Sequence, residues 1–168
     1  MSSKIVLIGG LPGTGKSTLA GALSKEFGAP VFSKDELEAA VARNGLADSK
    51  KMNGVGYELM STLAKLVLSG GSNAIFDFIA SKKPTEKLWP ELSLINIKYI
   101  ECVCSNESDH QKRVLNRKRD IPGWYELDWS DVQSIKGSYI PYRKERLIVD
   151  SVEDLNKNIR LSVNYINS

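Results

Sequence analysis

Histidine and cysteine are nearly missing from this chain: among 168 residues there are one of the former and two of the latter. Structural or catalytic centres built from imidazole and thiolate need several such ligands close together, so that chemistry has little to draw on. Cys102 and Cys104 stand two apart in YIECVCS. On an extended strand both face the same way and cannot bridge each other without strain, so burial in a core is expected for them. His110 is expected at an exposed helix position, with no role. Long apolar runs are also lacking. The longest, around residues 5–8 and 74–80, fall far short of the roughly 18 residues a membrane helix needs. The opening MSSKIVLIGG runs straight into glycines without the basic, apolar and small-residue zones of a secretory leader, so a cytoplasmic location is expected. Nor is there an excess of one charge. The net charge of +3 does not by itself demand nucleic acid, and nothing implies an obligate protein partner.

What is present is a well-patterned globular sequence. With 42% hydrophobic residues and no long polar tract, the chain can bury enough apolar surface to offset its conformational entropy. Without an internal repeat or linker, residues 1–168 read as one domain. A β-branched run over residues 4–9 predicts a strand buried on both faces, followed by a glycine loop. From Ser17, Leu19, Leu23 and Phe27 mark one helix stripe that Gly28 and Pro30 stop. A short strand at Val31 and Phe32 follows. Ser33 is then expected to cap a helix running through Leu37 and Val41 to Asn44 and Gly45. A longer helix carries Leu59, Leu63, Leu66 and Val67. Three further strands are expected at NAIFDF, at about residues 96–103, and at Leu147 to Val149, with helical patterns between them. Ser151 and Asp154 have capping-box-like spacing before a closing stripe of Val152, Leu155, Ile159, Val163 and Ile166. This alternation predicts a three-layer α/β domain with a five-stranded parallel sheet.

Gly10, Leu11, Pro12, Gly13, Thr14, Gly15, Lys16 and Ser17 spell GxxxxGKS, with Thr18 following, between the first strand and its helix. Glycines there let successive N–H groups turn inward, and the positive end of the helix faces the same point, which suits a polyphosphate. Lys16 supplies a charge for the β- and γ-phosphates, and the Ser17 hydroxyl can reach a bridging Mg²⁺. Asp77, at the end of the third strand, reads as a second magnesium group; the alternative is an ordinary strand-end carboxylate facing solvent. LSGGS at residues 68–72 abuts that strand and reads as a helix cap. No NKxD or DxxG motif accompanies the loop, which demotes a GTPase. Asp35 can accept a hydroxyl proton at the sheet edge, or simply favour the start of its helix. Arg113 and Arg117, four apart, can share a helix face and clamp phosphates, or lie on a solvated face. Lys112, Lys118 and Arg119 are expected to solvate the outer side.

Taken together, GLPGTGKST, SKDEL, IFDF and RVLNR resemble the AAA-type kinase group that includes polynucleotide kinases, chloramphenicol phosphotransferases and zeta toxins. The resemblance implies a P-loop fold with strand order 2-3-1-4-5 and a small helical lid at about residues 106–125. It implies ATP and Mg²⁺, with Asp35 as general base, Lys16 and Ser17 on phosphates and metal, and Arg113 and Arg117 as lid arginines. Adenine would lie between the lid and the loop after the fifth strand, near Asp150 and Ser151. Polynucleotide kinases carry an arginine three residues after the base, and here that position is Glu38. A carboxylate there repels an acceptor phosphate, which favours a small hydroxylated acceptor over a polynucleotide 5′ end. Trp124, Tyr125 and Trp129 are read as lid packing before base stacking. The expected function is ATP-dependent phosphotransfer to a hydroxyl. The alternative from another class is a nucleotide-dependent switch protein with slow hydrolysis.

Overall fold

In the computed structural model, which describes residues 4–52, 54–88 and 97–168, the opening β-branched run forms strand β1 (Ile5–Gly9), buried along its whole length. Its neighbours are β3 (Ala74–Asp77) and β4 (Ile97–Val103), and β2 (Val31–Ser33) and β5 (Leu147–Asp150) complete the sheet. All four pairings are parallel, in the order β2-β3-β1-β4-β5. The expected start of the fourth strand at residue 96 lies outside the described residues.

Alternation along β1 builds two cores. Ile5 and Leu7 face Met60 and Ala64 of α3 (Val55–Ser69). Val6 and Ile8 face Leu19, Ala20 and Leu23 of α1 (Lys16–Phe27), together with Ile166 of α7 (Leu155–Asn167). A sheet with helices on both faces must carry apolar side chains on both sides of its central strands, which is why β1 shows no polar alternation. The remaining helices are α2 (Lys34–Arg43), α4 (Lys82–Leu88), α5 (Glu107–Asn116) and α6 (Trp129–Ser138). None of the described helices is long and apolar enough to cross a membrane.

Three local expectations need correction. On α3 the buried line is Met60 and Ala64, with Leu63 and Val67 partly buried, while Leu66 is 63% exposed. The apolar arc of this helix is wider than the face the sheet covers, so docking on the sheet selects its innermost part, and Leu66 is left on the exposed side with Glu58, Thr62, Lys65 and Ser69. On α7, Asp154 is the cap and accepts from Lys157 N at 2.9 Å, which leaves Val152 and Leu155 exposed. Ser33 occupies the N-cap position of α2, but its side chain makes no capping bond.

Candidate active site

Parallel strands deliver their C-terminal ends to one edge, and the chemistry of the molecule gathers there. β1 is followed directly by Gly10, at φ +135°, where an added Cβ would stand 2.2 Å from the Cys102 carbonyl oxygen. Gly13 and Gly15 also adopt positive φ, and Gly15 leads into α1 with no side chain capping that helix. Thr14 Oγ1 and Lys16 Nζ each donate to Leu11 O at 2.8 Å, which braces the loop. The result is a concave run of amides at a positive helix end, a cradle for phosphate. Lys16 is buried, and burial lowers its pKa, with Asp77 acting in the opposite direction. Ser17 Oγ donates to Asp77 Oδ2 at 2.5 Å. Asp77 is buried rather than facing solvent; burial raises its pKa, against the pull of Lys16 and the Ser17 bond. A hydroxyl and a carboxylate side by side are hard oxygen donors of the kind Mg²⁺ takes alongside phosphate oxygens and water, so this pair fits that ion. Among the described residues no group of three or more His, Cys, Asp and Glu forms an all-protein metal cage.

The helix α5 closes over the loop. His110, expected at the surface, is buried, its Nε2 is 2.7 Å from Pro12 O, and its ring meets Trp129 edge-on at 5.1 Å between centroids. A Cβ on Gly13 would strike Val114 and crowd His110, so the glycine admits the helix as well as the ligand. The histidine is thus a brace between α5 and the phosphate loop, and Trp129 packs on it. Of the two cysteines, Cys102 is buried on β4, and burial pushes its thiol up to about 12, leaving it protonated and inert. Cys104 falls just beyond the strand and is only partly covered, so the shared face applies to one of them alone.

Arg113 donates from Nη1 to Ser151 Oγ at 2.6 Å and from Nη2 to Ser151 O at 3.0 Å, tying α5 to the loop after β5. Asp150 is turned to a structural task, accepting from Ser105 N at 3.1 Å and Val152 N at 3.2 Å. Arg117 lies one residue beyond the end of α5. Its Nε approaches Glu126 Oε2 at 3.5 Å, yet neither Nε nor Nη2, both buried, has a hydrogen-bond acceptor among the described residues. Burial, followed by the nearby Arg119, lowers its pKa. Arg119 corrects the sequence reading most. Instead of solvating the outer face it turns inward, with Nη1 on Asp35 Oδ2, Nη2 donating to Tyr125 O at 2.9 Å and Nε to Glu126 Oε2 at 3.1 Å. Because α5 ends at Asn116, the chain there is no longer helical and the helix-face argument ceases to apply. The signal available was only the density of cations in RVLNRKRD.

Two cavities meet at this cluster. One, of about 610 Å³, runs from the phosphate loop past Thr18, Arg113 and Ser151 to Asn158. The other, of about 510 Å³, is lined by Asp35, Glu38, Asp77, Trp124 and Tyr125. Lys16, Ser17, Arg117 and Arg119 border both. Asp150 lines neither, whereas Ser151 lines the first. Glu38, which also lines the second, is buried and pairs with Lys34 at 2.6 Å, so its charge is compensated by its own helix.

A family model described as an AAA domain matches residues 5–129. Solved structures share the architecture along the whole chain. A candidate kinase from Chloroflexus aurantiacus J-10-fl is 21% identical, with 98% of this chain and 99% of that one covered and a TM-score of 0.76. A gluconokinase from Sinorhizobium meliloti 1021 is 18% identical over 99% and 91%, with a TM-score of 0.70. The Mycobacterium tuberculosis APS kinase CysC, in complex with AMPPNP and APS, is 18% identical over 99% of each chain, also with a TM-score of 0.70. At these identities the likeness establishes a shared fold. No curated protein matches the chain by sequence.

Proposed function

The chain belongs to the AAA domain family of P-loop kinases, and on that premise we propose that it transfers the γ-phosphoryl group of ATP to a hydroxyl of a small-molecule acceptor. The observation that carries this reading is the pair of cavities joined at Lys16, Ser17, Arg117 and Arg119. A triphosphate running from Ser151 to the phosphate loop would end where those cations converge, with its terminal phosphate at the boundary between the two spaces. The second cavity then receives the acceptor, with Asp35 on its wall.

Phosphoryl transfer asks the protein mainly for position and charge compensation. The acceptor oxygen forms its bond to the γ-phosphorus as the bond to the β–γ bridging oxygen breaks; ADP leaves and the hydroxyl proton passes to Asp35. Mg²⁺ held near Ser17 and Asp77 would neutralise charge on the phosphate oxygens. Arg117, whose Nε and Nη2 have no acceptor among the described residues, would offer these donors to the same oxygens, and Arg119 can exchange its acidic partners for phosphate. That exchange would also release Asp35. We place the reaction in the cytoplasm, in keeping with the two free thiols.

Replacing Asp35 with asparagine tests the assignment. The substitution keeps shape and removes proton-accepting power, so label transfer from γ-labelled ATP to a small-molecule extract should fall by about 10²- to 10⁴-fold. Nucleotide affinity, read by calorimetry, should change by no more than about threefold. Turnover equal to that of the parent protein removes Asp35 from the chemistry.

A further inference from the structure

The acceptor cavity has a charge balance that narrows what can enter it, if the phosphotransferase reading on which this inference rests is right. Of the cations that border it, Lys16, Arg117 and Arg119 also border the phosphate cavity and are drawn to phosphate oxygens once a polyphosphate lies there. Lys34 is committed to Glu38 at 2.6 Å, with its ammonium 5.0 Å from the Tyr57 ring centroid. Asp77 is held by Ser17. Asp35, Glu36 and Asp120 are left on the wall, with the Trp124 and Tyr125 rings, 4.9 Å apart between centroids, beside them.

A second observation points the same way. The protein's own cations already use these surfaces: the Arg119 guanidinium sits on Asp35, and the Lys50 ammonium stands 6.0 Å from the Tyr125 ring centroid. Burial, and after it the charges of Asp35 and Glu38, raise the Tyr125 pKa, as expected for a ring in a negative field. When Arg119 turns to phosphate, Asp35 loses its positive partner, and a cation entering this wall regains that attraction. A carboxylated or phosphorylated acceptor would meet the same wall with like charge.

We propose that the acceptor is a hydroxyl compound bearing a protonated amine, an amino sugar or amino alcohol, whose ammonium lies against Glu36 and Asp120 beside the Trp124–Tyr125 pair, in the field of Asp35, while its hydroxyl faces Asp35. Phosphoryl transfer goes to its hydroxyl as written above, and the amine takes no part in bond making.

The test uses the full chain, Mg²⁺, γ-labelled ATP and a small-molecule cell extract divided in two, one half treated with acetic anhydride in water to acetylate amines and leave alcohols free. Loss of about tenfold or more of the labelled product in the acetylated half is the expected result. Equal labelling in both halves overturns the amine and leaves the kinase reading standing. Labelling in neither half, with nucleotide binding intact, overturns both. Asp120→Asn, at an exposed position outside the phosphate machinery, should raise KM for the purified acceptor about fivefold with kcat unchanged. An unchanged KM, or a fall in kcat alone, counts against the carboxylate wall.

Discussion

Replacing Arg117 with methionine should make the protein more stable and a poorer enzyme. Its Nε and Nη2 are buried without hydrogen-bond acceptors among the described residues, and each such group costs about 1–3 kcal/mol when fully enclosed. The side chain keeps 23% of its surface, and its Nε is 3.5 Å from Glu126 Oε2, so roughly half of that penalty is relieved. Methionine retains the apolar stem and its packing. The net gain is about 1–3 kcal/mol, and at about 2–4 °C per kcal/mol for a domain of this length, Tm should rise by about 2–12 °C. Against this, a guanidinium bonded to phosphate contributes about 1.5–3 kcal/mol, so affinity for Mg-ATP or the transfer rate should fall by about 10- to 150-fold. Calorimetry of melting and of nucleotide binding on the same preparations gives both numbers. If the variant melts lower and binds Mg-ATP as before, the guanidinium is structural and the phosphate role is wrong.

The phosphate-loop glycines yield a paired prediction: Gly10→Ala puts a Cβ 2.2 Å from a backbone oxygen at φ +135°, whereas Gly28→Ala, at φ +58°, meets nothing within 4 Å. The first should cost about 3 kcal/mol or more and abolish nucleotide binding, the second about 1 kcal/mol with binding kept, both read by melting and titration. Comparable losses in the two variants would discredit the close-approach argument. Asp128 heads α6, accepting from Ser130 Oγ at 2.7 Å and Asp131 N at 2.9 Å, and these bonds lower its pKa, the Ser130 bond foremost. A depressed folded-state pKa means the cap stabilises above the ordinary value of 3.8 and fades as pH falls through the folded value. Asp128→Ala should therefore lower Tm at neutral pH, with the gap to the parent closing in acid; a constant gap would show that the ionised carboxylate is not what caps the helix.

Elements with one dominant local signal were legible from residues alone. β1 is an unbroken β-branched run, α1 carries a clean four-residue stripe, and Gly28 ends that helix in the left-handed conformation with its N–H on Ser24 O. Where the apolar arc is wider than the buried face, as on α3, its innermost part could not be chosen without the sheet it packs against. Distant polar partners were hidden for a similar reason. His110 is 98 positions from Pro12 and Arg119 is 84 from Asp35, and no periodicity links such pairs. The family resemblance put adenine near Asp150, and only the neighbouring turn shows that its carboxylate accepts from Ser105 N and Val152 N.

The primary structure by itself determined the phosphate loop and its placement between a doubly buried strand and a helix, because that function depends on contiguous backbone and on glycine conformations that neighbours along the chain specify. Tertiary structure alone decided which cations face inward, which carboxylate each one guards, and that two cavities share one wall. Those facts depend on where separate segments dock, and docking is set by the packing of the whole core rather than by any local pattern.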